Sequence, residues 1–181
     1  MRASANSCPA EAGTLSGPMN VIEGHLSSAG RRFGIVAART NDLVVSRLVD
    51  GALDAFRRTG AADQDVVLVR APGAWEIPLA LRDLARSGKF DALVALGAVL
   101  RGGTPHFEYV AGETAKGVFQ VSLELDLPVA FGVLTCDTLE QALERSGAKG
   151  GNKGFEAAMA AVEAADLRAN LKKASSRRSA R

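Results

Sequence analysis

The sequence is poor in the residues on which protein chemistry most often depends. Among 181 residues it has two cysteines, Cys8 and Cys136. They are too few for a disulfide framework, and no metal-ligand spacing surrounds either one. There are two histidines, His25 and His106, and a single tryptophan, Trp75. No apolar run approaches the roughly 18 residues that a membrane span needs. The opening "MRASANSCPAEAGTLSGPMN" lacks the apolar core of a secretory signal. A reduced, cytoplasmic protein is the simplest reading.

Nucleotide-binding fingerprints are missing as well. No GxxxxGK(S/T) phosphate loop occurs, and "GAKGGNKG" (147–154) is not one, because Asn152 occupies the required glycine. GxGxxG is absent too, which argues against a dinucleotide cofactor. Acidic residues stop at Asp166, and six bases follow it, from Arg168 to Arg181. Residues 19–167 carry 15 bases against 19 acids, so the basic balance belongs to the end of the chain. A solvated, disordered tail over 168–181 accounts for this better than a nucleic-acid-binding one.

What is present reads as one globular domain: 47% of residues are hydrophobic and 23% charged. Residues 1–18 are rich in Ala, Ser, Gly and Pro and read as a disordered extension, or as a start placed ahead of Met19. From there strands and helices alternate. "RRFGIVAAR" (31–39), "DVVLVRAPGAW" (65–75), "DALVALGAVL" (91–100) and "LPVAFGVLT" (127–135) are strand patterns. Helical patterns follow each of them. The first, 41–60, is placed in register from Leu43 through Phe56 and stopped by Gly60. The second covers 77–88, with Pro78 in its first turn. Another runs through Phe107, Val110, Val118 and Leu125, a short one is capped by Asp137 with Glu140 three residues on, and the last covers about 152–170. This alternation predicts an α/β protein with a four-stranded parallel sheet covered on both faces.

In such sheets, ligands bind beyond the carboxyl ends of the strands. The loops there are "ARTND", "APGAWE", "LRGGTPH" and "LTCDT". Gly102, Gly103 and Thr104 precede a helix, whose N–H groups and dipole can hold an anion. His106 can exchange protons near neutral pH. On these residues alone, proton transfer and an ordinary helix-start histidine stand equal. Trp75 can stack on a planar ligand, although a lone Trp more often packs in a core. Arg145 and Lys153 can supply charge for a phosphate, although surface pairing is the usual fate of such residues.

Together, "PGAWEIP", "GAVLRGGTPHFEYV", "FGVLT" and "QALERSGAKGGNKGFEAA" are similar in order and spacing to the lumazine synthase (6,7-dimethyl-8-ribityllumazine synthase) family. The likeness runs from Met19 to about Leu167. It implies a flavodoxin-like three-layer sandwich and a transferase of riboflavin biosynthesis. The implied reaction condenses 5-amino-6-(ribitylamino)uracil with 3,4-dihydroxy-2-butanone 4-phosphate, without metal or cofactor. The resemblance makes His106 the proton-transfer group. Gly103, Thr104 and Arg145 match the phosphate contacts. Thr40, Ala74, Trp75, Glu76, Ala98, Val99 and Leu100 match the pyrimidine and ribityl contacts. Phe131 matches an aromatic brought by a neighbouring subunit, and Lys153 a lysine near it. At position 40 the family usually places a stacking aromatic, and this chain has threonine.

The resemblance also implies sites at the subunit interfaces of a pentamer. Twelve pentamers can close into a 60-subunit shell, and a riboflavin synthase is an implied partner. The segment before the first strand has no proline between Asn20 and Arg32, so it can add as a strand to a neighbour's sheet. A weakly active or inactive shell or flavin-binding paralogue of the same fold is the alternative reading, and it rests on Thr40.

Overall fold

The computed structural model describes residues 20–179, so the expectation for residues 1–18 lies outside the described residues. Strand β1 (Phe33–Ala38) and strand β3 (Ala92–Leu100) form the middle of a four-stranded sheet. Strand β2 (Val66–Ala71) and strand β4 (Val129–Cys136) form its edges. All pairings are parallel, in the order β2-β1-β3-β4. Every residue of β1, and all of β3 except Leu100, is buried. That is why these stretches read as unbroken apolar runs: both faces of a central parallel strand are covered. The order is the first part of the flavodoxin-like winding.

Side chains alternate between the two faces. Phe33, Ile35, Ala37, Val94 and Leu96 pack under helix α1 (Asp42–Arg58) and helix α5 (Lys153–Ser179). Val36, Ala38, Leu93, Ala95 and Val99 pack under helix α2 (Ile77–Arg86) and helix α3 (His106–Glu124). The result is a three-layer sandwich. Phe33 and Phe56 stack with ring centroids 4.6 Å apart, and each fully buried side chain of this size contributes roughly 1.5–3 kcal/mol.

The α1 register differs from the expected one. Its buried residues are Val44, Val45, Leu48, Val49, Ala52, Ala55 and Phe56, while Leu43 is exposed. A three-to-four spacing fits more than one starting point, and the valine pairs decide which face turns inward. Where α1 crosses α5 the backbones nearly touch. A Cβ on Gly154 would lie 2.0 Å from the Leu48 carbonyl oxygen, so this position admits only glycine.

Three boundaries also differ. Helix α4 (Leu139–Glu144) is capped by Thr138, whose side chain accepts from the Gln141 N–H, and not by Asp137. The stretch 146–152 folds into a small hairpin of β5 (Ser146–Ala148) and β6 (Gly151–Asn152). Helix α5 continues to Ser179, through most of the segment read as a disordered tail. No glycine or proline follows Gly154, and the stretch is rich in Ala, Leu, Lys and Arg, which favour helix.

Residues 20–32 form no strand. They lie along α5, held by Asp166. Its carboxylate accepts from the His25 backbone N–H at 2.8 Å, contacts His25 Nδ1 at 3.0 Å and pairs with Arg31. Asn170 donates to the Glu23 carbonyl at 3.0 Å. These bonds, that of the His25 N–H first, hold the Asp166 carboxyl well below the usual carboxylate range.

Candidate active site

Between β1 and β3 the chain winds in opposite directions, which is where open α/β sheets bind ligands. A cavity of about 370 Å³ opens there. Its walls come from the ends of three strands. Thr40 and Asn41 follow β1, Gly73, Ala74 and Trp75 follow β2, and Ala98, Val99 and Leu100 end β3. Gly102, Thr104, His106, Phe107 and Val110 complete it from the loop into α3.

Each wall has a local cause. Asn41 adopts the left-handed conformation (φ 56°) that ends β1 abruptly, and its side chain donates to the Ala98 carbonyl at 2.8 Å. Asn tolerates that conformation better than most residues. Trp75 sits in a one-turn 3₁₀ helix (Ala74–Glu76). Glu76 closes that turn by accepting from the Gly73 N–H at 2.9 Å, and buried Thr114 donates to the Ala74 carbonyl at 3.1 Å. So anchored, Trp75 is 57% exposed and faces ligand space instead of the core.

His106 is the first residue of α3. Its imidazole has no hydrogen-bond partner among the described residues. It is therefore open to a ligand, in a cavity whose lining holds no lysine, arginine or carboxylate.

The expected cations lie elsewhere. A second cavity, of about 440 Å³, runs along β4 and is lined by Phe131, Cys136, Arg145, Lys153 and Glu156 among others. It shares no lining residue with the first. Arg145 closes α4, donates to the Gln141 carbonyl at 2.9 Å and pairs with no carboxylate among the described residues. The Lys153 ammonium meets Glu156 at 2.6 Å. Burial pushes the Cys136 thiol up, which suits an inert lining residue.

The structure thus brings together Thr40, Ala74, Trp75, Ala98, Val99, Leu100, Thr104 and His106. It groups Phe131, Arg145 and Lys153 apart from them. Gly103 adjoins the first cavity, but Gly102 lines it, and the Glu76 carboxylate is spent on Gly73. Sequence reasoning missed Asn41 and Phe107. An Asn directly after a buried strand was the available signal for the first, and the second was read only as a packing residue of α3.

Residues 30–169 match the family model described as 6,7-dimethyl-8-ribityllumazine synthase. The chain belongs to this family. Three curated relatives carry that same name. The one from Anaeromyxobacter sp. (strain Fw109-5) is 60% identical over 149 residues, covering 82% of this chain and 91% of the relative. That from Desulfatibacillum aliphaticivorans is 55% identical, covering 84% and 98%. That from Aquifex aeolicus (strain VF5) is 53% identical, covering 85% and 100%.

Proposed function

We propose that the chain is a 6,7-dimethyl-8-ribityllumazine synthase whose active site is completed by a neighbouring copy. The first cavity receives 5-amino-6-(ribitylamino)uracil, with Thr40, Ala74, Trp75, Ala98, Val99 and Leu100 around the ring and ribityl chain. Gly103 and Thr104 present loop N–H groups to the phosphate of 3,4-dihydroxy-2-butanone 4-phosphate. Arg145, Lys153 and Phe131 come from the neighbour. The observation that carries this reading is complementarity: the histidine cavity has no cation, and the cation cavity has no histidine.

The pyrimidine's amine attacks the butanone carbonyl carbon, and loss of water leaves an imine. Phosphate then departs, with Arg145 offsetting its charge. As phosphate leaves, C3 of the butanone gives up a proton, and the enol so formed tautomerises to a ketone at C3. Attack of the ribityl-bearing nitrogen on that new ketone, with loss of a second water, closes the ring. Holding both reactants together supplies most of the acceleration. His106 moves protons and adds roughly 10²-fold or more.

Such a site requires an assembly, and a pentamer closing into a 60-subunit shell is the form proposed. Residues 20–32 are the segment able to add to a neighbour's sheet. The product passes to a riboflavin synthase, and the cytoplasm is the proposed location. No described helix is long and apolar enough to cross a membrane. Incubation with both substrates should give the fluorescent lumazine. If no product forms at saturating substrate while riboflavin still binds, the flavin-binding paralogue is the correct reading.

A further inference from the structure

Arg101 lines neither cavity, yet it touches the elements that build both. Its backbone N–H donates to the Cys136 carbonyl at 3.0 Å, fixing the end of β3 against β4. Its Nε donates to Asp137 at 2.7 Å, in the turn that leads to α4 and Arg145. Its Nη1 reaches Glu108 at 3.3 Å, in the first turn of α3. The guanidinium carbon also lies 4.4 Å from the centre of the Phe107 ring. Phe107 and Glu108 directly follow His106.

The segment it introduces has little else to hold it. A Cβ built on Gly102 or Gly103 would meet nothing within 4 Å. The glycines leave open space for a ligand, and they supply no packing of their own. Order in this loop must come from its two ends. Pro105 fixes one of them, accepting from the Glu108 N–H at 3.0 Å. Arg101 fixes the other.

We infer that Arg101 is a positioning residue, whose guanidinium, held between Asp137 and Glu108 and stacked on Phe107, orders the glycine loop and the start of α3. This rests on the proposed function for its catalytic consequence, though not for its structural one. Arg suits the role better than Lys because its planar fork can bond two carboxylates and stack at once.

The test uses the full chain with Arg101→Lys and Asp137→Asn, singly and combined. Amide hydrogen exchange in residues 101–108 should quicken in both single variants. In Arg101→Lys, kcat/KM for the ketose phosphate should fall by up to about 10²-fold, the scale expected when a reacting group is misplaced by about an ångström, with part of the loss in a raised KM. kcat should fall as well, while the KM for the pyrimidine, bound by Trp75 and the β3 wall, stays within about twofold. The double variant should be no worse than Arg101→Lys alone, because one interaction is lost in both. A general loss of structure would lower the active fraction without this split between the two Michaelis constants. Affinity for inorganic phosphate, measured by calorimetry, should also fall, and that readout needs no turnover. A wild-type chain without activity would therefore defeat the function and leave the positioning role to exchange and phosphate binding. Unchanged exchange overturns the inference. So does faster exchange with unchanged phosphate affinity.

Discussion

The cavity at the ends of β1 and β3 and the cavity along β4 are similar in size, about 370 and 440 Å³, but opposite in equipment. The first is built from backbone, apolar walls, an exposed indole and an imidazole without a hydrogen-bond partner among the described residues. The second offers a guanidinium, an ion-paired ammonium and an aromatic ring. In the proposed reading, the first takes a planar, uncharged ring with a hydroxylated chain. A phosphate needs the second as well, since loop N–H groups alone supply little formal charge. One chain carries the two sets of groups in separate cavities, and under the proposed function this difference makes assembly a chemical requirement of the site.

The comparison is broken most severely at His106. His106→Ala should lower kcat by roughly 10²-fold or more, with binding of a product analogue nearly intact. Equal losses in turnover and binding would make His106 a ligand-positioning group. Arg145→Ala should come next. Loss of a hydrogen bond to a charged group costs about 1.5–3 kcal/mol, or roughly 10- to 100-fold in KM for the ketose phosphate. The KM for the pyrimidine should move far less, and a parallel rise in both would remove Arg145 from the phosphate.

Thr40 sharpens the picture of the first cavity. An added ring–ring contact is worth about 0.5–1.5 kcal/mol, so Thr40→Phe should tighten riboflavin binding roughly two- to tenfold. If Trp75 already covers that face, Thr40→Phe will clash and weaken binding, and Trp75→Ala will abolish most of it. Calorimetric titration separates these cases, and unchanged affinity in both variants would mean that the ring lies elsewhere.

The smallest effect is expected far from both cavities, at Asp166. A carboxyl with a depressed pKa stabilises the fold above its unfolded value and loses that contribution as pH falls. Docking of residues 20–32 on α5 should therefore hold at neutral pH and loosen below about pH 4. Hydrogen exchange of residues 23–28 across that range reads this directly. Asp166→Asn should show the loosened pattern already at neutral pH, and a flat profile in the wild-type chain would remove Asp166 from the docking.

The layer architecture was legible because β1 and β3 are continuous apolar runs separated by helical patterns, and Gly60 and Pro78 mark helix ends that the structure keeps. The rest was hidden for local reasons. Asp137 and Thr138 are both good caps, and only tertiary contacts draw Asp137 to Arg101. The α1 face and the length of α5 depend on what packs against them. For the candidate site, the motifs suggested residues but not their grouping into two cavities. Arg145 and Thr104 match contacts to one phosphate, yet nothing in their spacing tells that one chain holds them in different cavities.

Mixing two impaired variants tests the composite site most directly. At ketose phosphate well below the raised KM, His106→Ala and Arg145→Ala chains, unfolded together and reassembled, should show activity far above that of either alone. Each His106→Ala chain can lend its intact Arg145 to a neighbour that still has His106. With equal, random mixing around a closed ring, about one interface in four carries both groups, and activity should approach that fraction of wild type. If the mixed assemblies are no more active than the separate variants, His106 and Arg145 of a single chain must serve the same site, and the account is wrong.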